Sequence, residues 1–162
     1  MRRLSGVILT GALILLPAFA QGHAGESARV AARAAAAQAQ TLTFDGDTVL
    51  WTVSIKSDKT ADFEKLMGKV KDALLKSNKP ERKQQAAGWR VVKSVKPMQD
   101  GNIPYVHVIH PVVKDADYTI LAILYEATPD PTEQKALYDL YRGALAGTLA
   151  QAPYTLAVDL GK

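Results

Sequence analysis

The chain contains no cysteine. That absence excludes disulfides, thiol catalysis, zinc–cysteine sites and iron–sulfur clusters, and leaves no thiol to which a lipid could be attached. A glycine-rich phosphate loop is missing as well. Gly68, Gly88, Gly101, Gly143 and Gly147 stand isolated, which sets aside ATP, NAD and FAD binding by such loops. Ser57, Ser77 and Ser94 have no nucleophile-elbow sequence around them, an argument against a serine hydrolase. Long hydrophobic runs are lacking too. The apolar stretch from Val7 to Leu16, broken only by Thr10 and Gly11, is about half of the roughly 20 residues a membrane-spanning helix needs.

What the N-terminus does contain is the pattern of an export signal. Arg2 and Arg3 precede the apolar stretch, and Ala18-Phe19-Ala20 fits the small-residue rule for cleavage before Gln21. Residues 1–20 are therefore expected to be a signal peptide. Gly22-His23-Ala24 offers a second cleavage site, and an uncleaved interfacial anchor is the alternative. Leu4-Ser5-Gly6 lacks the remainder of a twin-arginine signal. The mature protein is expected in the periplasm or outside the cell, with no stable membrane span. With no disulfide available there, core packing alone must hold residues 41–162 together, and that length suffices.

The formal charge of +4 overstates the basicity of the mature form, because Arg2 and Arg3 leave with the signal. The remainder is uneven: Lys56 to Lys96 holds twelve basic and five acidic residues, whereas the chain after it holds four and eight. Such asymmetry can mark a polyanion-binding face. The favoured reading is a solvated helix surface, and export argues further against nucleic acid as a partner.

Residues 21–40 are alanine-rich, with Val30 as their only large apolar side chain. Alanine favours helix, yet such a helix has little to dock with, so this segment reads as a flexible or helical tether. Beyond it, Val49, Trp51, Val53 and Ile55 alternate with Leu50, Thr52 and Ser54, the period of a strand with one buried face. Phe63, Leu66, Met67, Val70, Ala73 and Leu74 then fall on one helical stripe after a Thr60 start. Glu81 to Ala87 reads as a short second helix, with Pro80 suited to its first turn and Gly88 as its stop. Trp89–Val95 and Tyr105–Val113 read as strands joined by an Asp100-Gly101 turn. The run Tyr118–Ala127 fits either helix or buried strand, and helix is preferred. Asp130, Pro131 and Glu133 open a further helix with capping-box chemistry. Tyr154, Leu156, Val158 and Leu160 alternate as a last strand.

This order predicts an α+β domain over residues 41–162: a ferredoxin-like split βαβ arrangement, with a four-stranded antiparallel sheet and helices on one face. In element order the chain resembles the dimeric α/β-barrel superfamily, which includes small monooxygenases and haem-degrading enzymes. Its segments QQAAGWRVVKS, YVHVIHPVVKDADYTI and LYDLYRGALA resemble those of uncharacterised secreted bacterial proteins. The superfamily resemblance implies that two protomers cover each other's sheets, forming a homodimer with a pocket inside.

Candidate site residues are those standing on strands. Tyr105 and His107 share a face of the third strand, Trp51 can approach them from the first, and Trp89 begins the second. Together Trp51, Trp89, Tyr105 and His107 could line a pocket for a flat organic ligand; the alternative is that they are core or interface aromatics. His107 and His110, three apart on one strand, point to opposite faces and cannot share a metal without a bulge between them. No His/Asp/Glu cluster at ligand spacing accompanies them, so no metal and no cofactor is expected. Two functions follow. One is a non-catalytic dimer binding a partner or a small apolar ligand. The other is a cofactor-independent, monooxygenase-like enzyme for a small aromatic or quinone-like substrate, with His107 as acid–base group and Trp51, Trp89 and Tyr105 positioning the substrate.

Overall fold

A computed structural model describes residues 41–160. The expected signal peptide, tether and His23 lie outside the described residues. Three of the four strands rise where apolar residues alternate: β1 (Thr48–Ile55), β2 (Trp89–Lys93) and β3 (Ile103–Ile109). The fourth, β4 (Leu145–Tyr154), follows the last helix directly. The sheet is antiparallel throughout, in the order β2–β3–β1–β4. The domain is therefore α+β, with the ferredoxin-like split βαβ order.

Four helices accompany the sheet: α1 (Thr60–Lys76), α2 (Pro80–Gly88), α3 (Ile120–Ala127) and α4 (Pro131–Ala144). The first is entered through a 3-10 turn at Ser57–Lys59 rather than through a Thr60 cap. It buries Phe63, Leu66, Val70, Ala73 and Leu74 of the expected stripe, leaves Met67 half-buried, and packs against the other three helices. The run Tyr118–Ala127 resolves as helix from Ile120, with Ile120, Leu121, Ile123 and Leu124 buried. The start of α4 has the expected chemistry, because the Asp130 carboxylate accepts the Glu133 N–H at 2.9 Å and Pro131 opens the helix.

Register assigns each side chain to a face. Val49, Trp51, Val53 and Ile55 of β1 lie opposite Ile109, His107, Tyr105 and Ile103 of β3, and this inner face meets the helices. Leu50, Thr52 and Ser54, with Val108, Val106 and Pro104, turn the other way. The strands β2 and β3 are joined by a loop that turns at Gly101, whose φ of 79° is a left-handed conformation suited to glycine.

Two expectations are corrected. The last strand does not run from Tyr154 to Leu160; it spans Leu145–Tyr154 and shares only Tyr154 with the expected segment. The sequence LAGTLAQAPY is poor in β-branched residues. Its register against β1 also shifts between Thr52 and Val53 and again between Ser54 and Ile55, which destroys any period-two pattern. Tertiary pairing with the free edge of β1 forms this strand in spite of its composition. Leu156, Val158 and Leu160 lie beyond it, largely exposed. Second, β3 ends at Ile109, so His110 and Pro111 stand outside the strand. The exposed His110 ring accordingly meets Thr48 Oγ1 at 2.8 Å rather than facing across the sheet.

Candidate functional site

The inner face brings all four candidate residues into one neighbourhood. His107 sits at its centre, fully buried on the middle of β3. Its cross-strand neighbour Trp51 stacks on the imidazole with ring centroids 4.5 Å apart and planes 21° from parallel. Trp89, one pair further along β2, donates its indole N–H to His107 Nδ1 at 3.1 Å. Phe63 from α1 closes over the group, edge-on to His107 at 6.2 Å and to Tyr105 at 4.9 Å. The Trp51, Trp89, Tyr105 and His107 side chains thus form a packed layer beneath the helices.

Electrostatics follow from that burial. Loss of water pushes the His107 pKa down to about 4, so the ring is neutral at pH 7. Because Nδ1 accepts from Trp89, the ring proton resides on Nε2. That nitrogen is buried and makes no hydrogen bond, and Trp51 Nε1 is in the same condition. A general base needs a proton donor or acceptor within reach in a substrate-accessible place. His107 instead has aromatic rings around it.

Tyr105 reaches further out. Its hydroxyl donates to Glu64 Oε1 on α1 at 2.6 Å, and Lys93 Nζ meets the same oxygen at 3.0 Å while lying 5.7 Å from the Tyr105 ring centre. The hydrogen bond from Tyr105, then that from Lys93, hold the Glu64 carboxyl below its ordinary pKa. Burial, then the Glu64 contact, push the Tyr105 hydroxyl up. This cluster pins the helix to the edge of the sheet.

Comparison with known proteins yields no matching family model, curated protein or solved structure. The geometry of the site therefore carries the functional argument. Among the described residues no group of His, Asp and Glu could hold a metal ion, and no helix is long and apolar enough to cross a membrane.

The outer face of the sheet has the opposite character. Its strand residues are Thr48, Leu50, Thr52 and Ser54 on β1, Pro104, Val106 and Val108 on β3, and Arg90 and Val92 on β2. Ala150 and Ala152 continue it onto β4 opposite Thr52 and Leu50. Arg90 is the only charged side chain in that set. Leu50 is 37% exposed and Val92 50% exposed, and Val106 and Val108 are partly open. Among the described residues the β2–β3 loop covers one end, where Ser54 Oγ meets Met98 Sδ at 3.9 Å. An antiparallel sheet that faced water here would alternate apolar inside with polar outside.

Sequence reasoning weighed only the inner aromatics as site residues. The signal for the outer face was legible: Leu50, Val106 and Val108 occupy the positions that a water-facing strand fills with polar residues. The basic stretch from Lys56 to Lys96 hid a second feature. Arg82 of α2 is buried, at 7% exposure, against the expectation of a solvated surface. Its guanidinium bonds Gln85 Oε1 at 2.9 Å, the Asp117 carbonyl, and Glu126 Oε2 at 2.9 Å.

Proposed function

We propose that the mature chain is an exported, non-catalytic binding domain that works as a homodimer closed through the outer face of its sheet. The single observation that carries this reading is the near-absence of charge on a sheet face that none of the described helices covers. Four strands about 4.8 Å apart and eight residues at about 3.3 Å each give a face of roughly 500 Å² in projection. Leu50, Val92, Val106 and Val108 share that footprint with Thr48, Thr52 and Arg90, and a monomer's largest exposed apolar patch is about 300–600 Å². Side-chain relief carries the face toward the ~800 Å² per partner of an ordinary stable interface.

A second copy of this chain is the occupant that fits best. A flat face carrying valine, leucine, threonine and alanine, with Arg90 at the outer strand, has no strong charge pattern to match to a different partner. Brought against itself about a two-fold axis, it meets the same residue types without like-charge conflict at its centre. The inner aromatics then serve as core, and any small apolar ligand would sit between the two sheets rather than beside His107. No observation favours the monooxygenase-like alternative.

Sedimentation equilibrium of the mature chain at 1–50 μM, roughly the range in which such interfaces associate, tests the reading. The expected result is a species of twice the monomer mass. A strictly monomeric protein across that range would overturn it.

A further inference from the structure

On the side of the domain away from the outer sheet face, a cleft of about 570 Å³ opens between the C-terminal half of α1, the start of α2, and helices α3 and α4. That volume lies within the range of small-molecule sites, about 300–1,000 Å³. Its wall carries Lys69, Lys76, Lys79 and Arg82 against Asp72 and Glu126, two more cations than anions. Lys76 is held by Asp72 at 3.3 Å, and Lys79 and Arg82 both converge on Glu126 Oε2, at 3.0 and 2.9 Å. One carboxylate thus serves two cations, and Lys69 has no ion-pair partner among the described residues. The floor is apolar, made by Ile123, Leu124 and Leu137.

Arg82 supplies the second observation. It is 93% buried by its 7% exposure, yet its Nε–H is buried without a hydrogen-bond partner. That Nε–H is sealed from solvent, so Arg82 offers the cleft an anchored charge; with the one carboxylate beside it already shared by Lys79, the cleft is short of acceptor oxygen. We infer that this cleft binds a small amphipathic carboxylate. The ligand's carboxylate lies among Lys69, Lys79 and Arg82, and its short aliphatic body rests on Ile123, Leu124 and Leu137. Both halves are needed: the apolar floor supplies area, and the cations supply charge-assisted hydrogen bonds. This site is separate from the sheet face and stands whether or not the chain dimerises.

The test is an NMR titration of the full chain with three separate probes: sodium hexanoate, hexan-1-ol and sodium sulfate. Hexanoate is expected to give saturable amide shifts confined to residues 69–82 and 123–137, with half-saturation below about 1 mM, in keeping with a ligand of about eight non-hydrogen atoms. The alcohol and sulfate are each expected to bind at least about tenfold more weakly, a difference of about 1.4 kcal/mol. Lys69→Glu, at an exposed position on α1, is expected to weaken hexanoate at least fivefold while leaving the melting temperature unchanged. Equal response to hexanol would reduce the site to an apolar crevice, and equal response to sulfate would make it an adventitious ion only. Either outcome overturns the inference, as does the absence of saturation by about 10 mM or an unaltered response in Lys69→Glu.

Discussion

The Trp89 indole donates to His107 Nδ1 across 3.1 Å, and that bond decides which imidazole nitrogen keeps the proton. A neutral histidine whose acceptor nitrogen is occupied, whose face is covered by Trp51 and whose edge meets Phe63 is a packing element. It ties β2 to β3 through a side chain where the sheet itself supplies only backbone bonds. The same arrangement explains why a histidine reads so poorly from sequence: its strand position is shared by structural and catalytic histidines, and only the surroundings separate them.

Burial of neutral His107 makes stability depend on pH in a defined direction. Its folded pKa of about 4 lies below the ordinary 6.5. Below pH 6.5 the unfolded chain takes up a proton that the folded chain refuses, so stability is full above that value and falls as pH drops toward 4. Between pH 7 and pH 5 the loss from this residue is about 2 kcal/mol. Glu64 and Glu126 have lowered pKa values and titrate below that interval. Urea titrations at the two pH values check this. His107→Phe should flatten the interval, even though it leaves the Trp89 donor unmatched and lowers stability overall by about 1–3 kcal/mol. A pH dependence that survives in His107→Phe would place its origin elsewhere.

Gly88 ends α2 where the chain after β3 passes close by. A Cβ built there would stand 2.6 Å from the Pro111 carbonyl oxygen and 3.1 Å from that of His110. The Gly88 carbonyl also accepts the His110 N–H at 2.8 Å. Gly88→Ala is therefore expected to destabilise the fold by at least about 2 kcal/mol, because backbone rather than a mobile side chain must give way. Thermal unfolding checks it, with Gly68→Ala as control, since nothing lies within 4 Å of a Cβ there. On an exposed helical face that control should be neutral or stabilising. Equal melting temperatures for the two variants would show that the approach of residues 110–111 relaxes freely.

The elements legible in the sequence were those in which propensity, period and capping agree. β1 buries the residues its period selects, α1 all of its stripe but the half-buried Met67, and Asp130 caps α4 as its spacing to Glu133 implies. β4 was not legible, because its alanines and glycine favour neither strand nor burial and its bulges break the alternation. Beyond Tyr154 the converse holds: Leu156, Val158 and Leu160 alternate, but no neighbouring strand among the described residues takes them up. Of the site, the shared face of Tyr105 and His107 followed from strand parity, whereas the approach of Trp51 and Trp89 depends on cross-strand register. Which side of the sheet the helices cover did not follow, since parity cannot distinguish the two faces. The Arg82–Glu126 pair is separated by 44 residues, and no local pattern announces a contact of that kind.

Arg82 links α2 to the turn before α3 and to the end of that helix. Gln85, itself fully buried, supports it and donates to the same Asp117 carbonyl at 3.0 Å. Arg82→Met keeps much of the aliphatic stem but removes three charge-assisted bonds. Glu126 retains Lys79, so no isolated buried charge results, and a loss of about 2–3 kcal/mol is expected. Burial pushes the Glu126 carboxyl up, and Arg82 with Lys79 more than reverses that effect to hold it low. A lowered carboxyl stabilises the fold above its unfolded pKa, and the benefit is lost as pH falls through the folded value. Arg82→Met should therefore also weaken the acid-side decline in stability. Denaturant titrations at pH 7 and pH 3.5 measure both effects. An unchanged free energy at pH 7 would show that the network contributes nothing net.

Charge placed on the outer sheet face gives the sharpest test of self-association. Leu50 and Val106 stand on the two central strands and face away from the helices. In a two-fold dimer each substitution appears twice, so one glutamate per chain puts two like charges near the axis and removes both from water. Leu50→Glu and Val106→Glu are each expected to raise the dissociation constant at least about 100-fold, equivalent to about 2.7 kcal/mol. The isolated monomer should lose no more than about 1 kcal/mol, the span of strand propensity, because neither side chain packs on a helix. Gln84→Glu, exposed on α2, adds the same single charge and should leave association intact. Sedimentation of the three variants separates the possibilities. Dimers that persist in both sheet variants would move the contact to another surface, while dissociation of all three would trace it to net charge instead of to the sheet.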